Sequence, residues 1–220
     1  FVRNAIWNTV PRIYRDVRIS RIYEGTNEIN RMLIPGMILK RTMKGQLDLF
    51  EMIQQVEASL AEPDKPTPPG LGDDPELSFE TFITQQAKKL VVYTANQAIQ
   101  KHMADLKEQQ EILIDLADMI IQLYAIDSTV TRTLQMIESD GLGDSLLQRD
   151  ATRLQAVNSF NEIRDRAERL LTHLAAEDSD KLNTHLDALE KLAFRPRVDL
   201  IGLERNIAEA VVEREKYPFE

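Results

Sequence analysis

The sequence contains no cysteine in 220 residues. That absence removes disulfide scaffolds, thiol nucleophiles and thiolate metal sites at once, and it fits a reducing compartment. Glycine is scarce, at 8 residues, and no P-loop or Gly-x-Gly-x-x-Gly run is present to cradle phosphates. There are only 3 histidines. Ile99, Leu170 and Leu182 stand three positions before His102, His173 and His185. The Glu-x-x-His motif of bundle di-iron sites is therefore missing, and no metal is expected. No serine occupies a glycine-flanked elbow, which removes the usual hydrolase nucleophile. Long apolar runs are lacking too. The stretch Met32 to Leu39 falls far short of the roughly 20 residues that span a bilayer, and Asp115 and Asp118 interrupt the run from Ile112 to Ile126. The Arg-rich first thirty residues contain no apolar signal-peptide core. A protein that is neither secreted nor membrane-spanning is expected.

What is present is unevenly charged. The formal net charge is −9, yet residues 1–44 hold nine Lys or Arg against three acids (Asp16, Glu24 and Glu28), a net +6. The remainder holds 18 bases against 33 acids, a net −15. The acidic majority argues against nucleic acid as a partner, since phosphate contacts need the opposite sign. The basic segment around Glu24 suits phosphorylated small molecules.

Apolar periodicity near 3.6 residues predicts helix almost everywhere, and no stretch alternates long enough to argue for a sheet. Ile29, Met32, Leu33, Met37, Leu39 and Met43 mark one helix from Asn27 to Lys44, with Pro35-Gly36 expected to kink or break it and Gly45 to end it. Leu49, Phe50, Ile53, Val56 and Leu60 mark a second. Residues 61–76 then hold five prolines and form a linker. Beyond it, a long helix with Ser78 as its cap carries Phe79, Phe82, Ile83, Leu90, Val91, Thr94, Ala98 and Ile99. The next carries residues from Ile112 to Ile137, Tyr124 among them. A third runs from Leu147 to Leu174, and a fourth spans about 179–193 with Leu182, Leu186, Leu189 and Leu192. A short last helix covers about 199–213. The expected fold is all-α: two helical parts, 1–60 and 77–220, joined by a Pro-rich linker at 61–76, the second part a helical bundle.

One short stretch carries chemistry. In Arg21-Ile22-Tyr23-Glu24-Gly25-Thr26-Asn27-Glu28-Ile29-Asn30-Arg31 a carboxylate sits on a glycine turn immediately before a helix start. On its own, an acid before glycine is usually only a turn residue, and Asn27 and Glu28 could simply cap a helix. Extended to Arg15-Asp16-x-Arg18-Ile19 on one side and to Met32-Leu33-Ile34-Pro35-Gly36-Met37-Ile38-Leu39-Lys40-Arg41 on the other, the segment resembles the C-terminal signature of acyl-CoA dehydrogenases. Its continuation is similar to the very-long-chain-like branch, which carries an extra helical domain after a variable linker. Residues 1–12 depart from the family, keeping at most Pro11 of its Gly-rich and aromatic-Pro approach.

The resemblance implies that Glu24 is the base that removes the α-proton of an acyl-CoA thioester, in α,β-dehydrogenation within fatty acid β-oxidation. The α-proton is weakly acidic, so the carboxylate must be held over the α-carbon away from water. It implies that Gly25 lets the backbone approach the substrate, that the Glu24 N–H polarises the thioester carbonyl, and that Thr26, Asn27 and Glu28 contact FAD at a helix N-terminus. An electron-transfer flavoprotein as acceptor and a homodimer are further implications. Dimerisation or peripheral membrane attachment are the roles implied for the extra domain, and a bundle with only such a role is the second functional reading. A chain that starts at Phe1 with its base two dozen residues in reads as the C-terminal piece of a longer enzyme, inactive alone. A bacterial cytoplasm and a mitochondrial matrix fit equally.

Overall fold

The computed structural model describes residues 9–72, 74, 76–214 and 219. Every regular element among them is helical: α1 (Thr9–Asp16), α2 (Asn27–Met43), α3 (Leu49–Ala61), α4 (Ser78–His102), α5 (Gln110–Asp140), α6 (Leu146–Leu174), α7 (Ser179–Leu192) and α8 (Leu200–Arg214). Short 3-10 turns occupy Val17–Arg21, Met103–Glu108 and Gly143–Ser145. The all-α architecture expected from the sequence is the one found.

The core lies among α4, α5 and α6, with α7 packed on α4 and α6, and α8 along α6. Each long helix presents its apolar stripe inward, through Ile83, Leu90 and Ala98 on α4, Met119 and Ile126 on α5, and Phe160, Ile163 and Ala167 on α6, all without solvent exposure. Phe194, just after α7, closes one end by ring contacts with Phe79, Phe82 and Phe160 at centroid distances of 6.4, 5.5 and 5.3 Å. Truncating a phenylalanine in such a position typically costs about 3–5 kcal/mol.

Several local expectations are corrected. Periodicity places Phe50, Tyr124 and Leu186 on inward faces, but they are exposed, Phe50 and Tyr124 almost three-quarters so. Met52 takes the inward place on α3, Ile126 on α5 and His185 on α7. Ser78 does not cap α4. The cap residue is Leu77, held at φ 49°, and Asp74 accepts the Ser78 N–H at 2.8 Å and the Glu76 N–H at 2.9 Å. The Ser78 hydroxyl and these two amides hold the Asp74 carboxyl below its ordinary range. Pro35 does not break α2, which continues across it as one helix. Pro35 is the buried residue of α2 and lines a cavity against α4 and α5. Packing there outweighs a helix-interior proline penalty of roughly 3 kcal/mol.

α2 ends as expected at Gly45, whose φ of +67° permits a Schellman turn. The Gly45 N–H donates to the Thr42 carbonyl and the Gln46 N–H to the Arg41 carbonyl, each at 2.9 Å. This turn brings α3, capped by Asp48 at the Glu51 N–H (2.9 Å), back along the molecule. α2 lies on α5, and α3 lies on α4 and α7. The proline-rich stretch is fastened to the bundle by Lys65–Glu190 (2.7 Å) and by Lys191, which donates to the Leu60 and Glu62 carbonyls at 2.8 Å each.

Candidate active site at the Glu24 turn

α1 tightens into the 3-10 segment Val17–Arg21, which closes with the Ile22 and Tyr23 N–H groups on the Ile19 carbonyl at 2.9 and 3.2 Å. The chain then reverses through two consecutive left-handed residues, Glu24 at φ +57° and Gly25 at +95°. Glycine adopts this freely, whereas a glutamate there is strained by roughly 1–3 kcal/mol, and strain of this kind concentrates at functional sites. Thr26 returns to extended backbone and caps α2, its Oγ1 accepting the Ile29 N–H at 3.3 Å.

Asn30 fixes the turn from the helix side. Its Nδ2 donates to the Gly25 carbonyl at 3.0 Å, and a Cβ on Gly25 would stand 2.8 Å from its Oδ1. Arg31 follows, with Nη1 donating to the Asn27 carbonyl at 3.3 Å and Nε to Asp118 on α5 at 2.6 Å. Neither residue was singled out from the sequence. Asn30 could have been suspected from its place one turn after a threonine cap. The Arg31 partner, 87 positions away, could not.

Glu24, Gly25, Thr26, Asn27 and Glu28 thus share one turn and one helix start. Gly25 to Asn27 are half-buried, while Glu24 and Glu28 are exposed. The dry pocket expected over Glu24 is not built by the described residues. Instead Ile13, Tyr14, Val17, Ile19, Ile22 and Tyr23 before the turn, and Ile29, Leu33 and Met37 after it, leave about half or more of their surface open. Apolar exposure on this scale marks a contact face. Exposed Arg12, Arg15, Arg18 and Arg21 line the same segment.

Elsewhere the polar chemistry is structural. Among the described residues no cluster of three His, Asp or Glu could hold a metal ion, and no helix is long and apolar enough to cross a membrane. The cavity behind Pro35, about 150 Å³, is lined by Leu39, Met52, Val91, Leu116 and Leu123 and offers almost no polar surface. Tyr93 and His185 share a buried hydrogen bond of 2.9 Å between Oη and Nδ1. Burial pushes the tyrosine up to about 12 and pulls the histidine below its usual value.

Residues 5–39 and 86–191 match two family models, each described as the acyl-CoA dehydrogenase C-terminal domain. The chain belongs to the acyl-CoA dehydrogenase family. A Bacillus subtilis (strain 168) protein described as a "probable acyl-CoA dehydrogenase" is 38% identical over 208 residues, 94% of this chain and 34% of that protein. A crystal structure of a Bacillus anthracis acyl-CoA dehydrogenase complexed with FAD matches with a TM-score of 0.86 at 36% identity, over 94% of this chain and 34% of that one. The subunit CarC of a caffeyl-CoA reductase–Etf complex from Acetobacterium woodii is 53% identical over 32 residues, 14% of this chain and 8% of that one. The chain therefore spans about a third of the length of its extended acyl-CoA dehydrogenase relatives.

Proposed function

We propose that this chain supplies the base-bearing C-terminal portion of an FAD-dependent acyl-CoA dehydrogenase acting on long or very long acyl-CoA in β-oxidation, with residues 77–220 as the extra helical domain of the very-long-chain-like branch. The observation that carries the reading is the Glu24–Gly25 turn: a carboxylate in a strained left-handed conformation, between an arginine-studded segment and a capped helix start. Open apolar surface on both sides of the turn supports a site whose other walls come from further chain.

In this reading the Glu24 carboxylate receives the α-proton. Its exposure here leaves it to be covered by those further walls, which would exclude water from the reaction. Gly25 offers a surface without a side chain, so a thioester can approach the backbone. Thr26, Asn27 and Glu28 fit the cofactor. The first-turn N–H groups of an α-helix lack intrahelical acceptors and favour polar or anionic partners. The Glu28 carboxylate suits a hydroxyl or amino group better than a phosphate. The exposed arginines before the turn would attract the phosphates of CoA or FAD. FAD, when bound, supplies the acceptor for the two electrons that leave the β-carbon. An electron-transfer flavoprotein as the next acceptor is supported by the Acetobacterium relative, a subunit of a caffeyl-CoA reductase–Etf complex. Homodimer formation and peripheral membrane contact are assigned to the helical domain on the family resemblance.

The test is Glu24→Gln in the intact parent enzyme, assayed for acyl-CoA dehydrogenation with a dye acceptor. Removal of a general base should lower kcat by about 10²–10⁴-fold, while flavin content stays as in the wild type. Activity near the wild-type level would remove Glu24 from its role.

A further inference from the structure

The turn that carries Glu24 is poorly supported on its N-terminal side. α1 and the 3-10 segment Val17–Arg21 pack on each other, and their described side chains from Pro11 to Arg21 are exposed. Its support comes from α2, and the first turn of α2 is tied to the bundle through Arg31. The Arg31 guanidinium donates simultaneously to the Asn27 carbonyl, inside that first turn, and to Asp118 Oδ1 on α5.

Asp118 is itself held. Its other oxygen lies 3.0 Å from Arg166 Nη2 on α6, and Arg166 Nη1 donates to the buried Asp115 at 2.7 Å. Arg166 also reaches Glu162 at 3.0 Å, and Arg169 lies 3.4 Å from Asp115. The carboxylate facing Arg31 is thus only 13% exposed and fixed by charge from a third helix. A charge-assisted contact of this geometry fixes direction as well as distance, and a planar guanidinium loses little freedom in making it. A contact between two mobile surface chains would hold nothing.

We propose that Asp118, backed by Arg166, is a positioning residue for the Glu24 turn: the helical domain takes part in dehydrogenation by fixing the start of α2 through Arg31. The proposal rests on Glu24 being the base. Small misplacements of a catalytic group are expensive, on the order of a hundredfold in rate for 1 Å. An isosteric loss of charge at Asp118 weakens its contacts to Arg31 and Arg166 together, while Arg166 keeps Asp115 and Glu162.

The experiment has two arms. In the 220-residue chain, hydrogen exchange is followed at the amides of Ile29, Asn30 and Arg31 for wild type, Asp118→Asn, Asp118→Glu and the control Asp127→Asn. The control breaks the α4–α5 pair Lys88–Asp127 (2.8 Å), which includes neither Arg31 nor Arg166. Asp118→Asn should accelerate exchange at those three amides by about tenfold, as expected if roughly 1.4 kcal/mol of local support is lost. The Glu variant should recover part of the protection, and the control should leave it unchanged. In the intact parent, Asp118→Asn should lower kcat by about tenfold with KM for acyl-CoA within twofold. Unchanged exchange at the three amides, acceleration spread evenly over α4 to α6, or an unchanged kcat would each overturn the proposal. Failure of the underlying reading looks different: Glu24→Gln would then stay active whatever Asp118 does.

Discussion

At Gly25 two demands coincide: a φ of +95° and the space beside Asn30. Gly25→Ala imposes a side chain on a left-handed residue and drives its Cβ onto Asn30 Oδ1, a movable group. A loss of about 1–2 kcal/mol in urea unfolding of the chain is expected. The larger effect should fall on turnover of the parent, because the turn moves with it. An alanine variant as stable and as active as wild type would mean that neither demand is real. Glu24 and Gly25 were legible in the sequence because their pattern lies within a few neighbouring positions. Asn30 was not. Its place one turn after the Thr26 cap points to a capping role, but its bond to Gly25 depends on the chain reversing by two left-handed residues.

Helices came through the sequence well and their faces less so. Periodicity located every long helix within a few residues, since apolar spacing repeats many times along each. Which side of the stripe is buried depends on neighbours, so Phe50 and Tyr124 face water while Met52 and Ile126 face the core. Polar burial was invisible. Glu80, in the first turn of α4, reads as an ordinary helix-start acid, yet it is fully buried and paired with Arg153 of α6. Removing one partner of such a pair leaves a buried charge alone, at a typical cost of about 3–5 kcal/mol. Glu80→Leu should therefore lower the unfolding free energy by that order. The double variant Glu80→Leu/Arg153→Met should regain most of it. A single variant with an unchanged urea midpoint would show that the pair contributes nothing.

For the whole molecule, acidity is the informative variable. His185 is pulled below its usual value by burial, then by Lys181, with Asp178 opposing, and His102 is lowered by burial and by Lys101 and His173. A histidine with a depressed folded pKa binds fewer protons in the folded state than in the unfolded one. Its stabilising contribution is therefore complete above the unfolded value of 6.5 and declines as pH falls below it. The urea midpoint should fall between pH 6.5 and 5, and His185→Asn should flatten part of that slope, leaving the part due to His102. Tyr93 gives the opposite limb. Raised to about 12 from 10, it withdraws support as pH climbs above 10. A midpoint constant from pH 8 to 5 would contradict the lowered values of both histidines.

Pro35 gives α2 an uneven stiffness. A proline has no N–H to donate, so the carbonyl of Arg31 lacks its partner one turn ahead and the ladder of the helix misses a rung there. The missing rung falls at the very residue whose side chain reaches Asp118. Bending compliance is therefore greatest between the first turn of α2 and the portion seated on α5. On the proposed reading of Glu24 as the base, further walls closing around it can tilt that first turn slightly without dislodging the helix behind it. The guanidinium contact then sets how far the tilt can go.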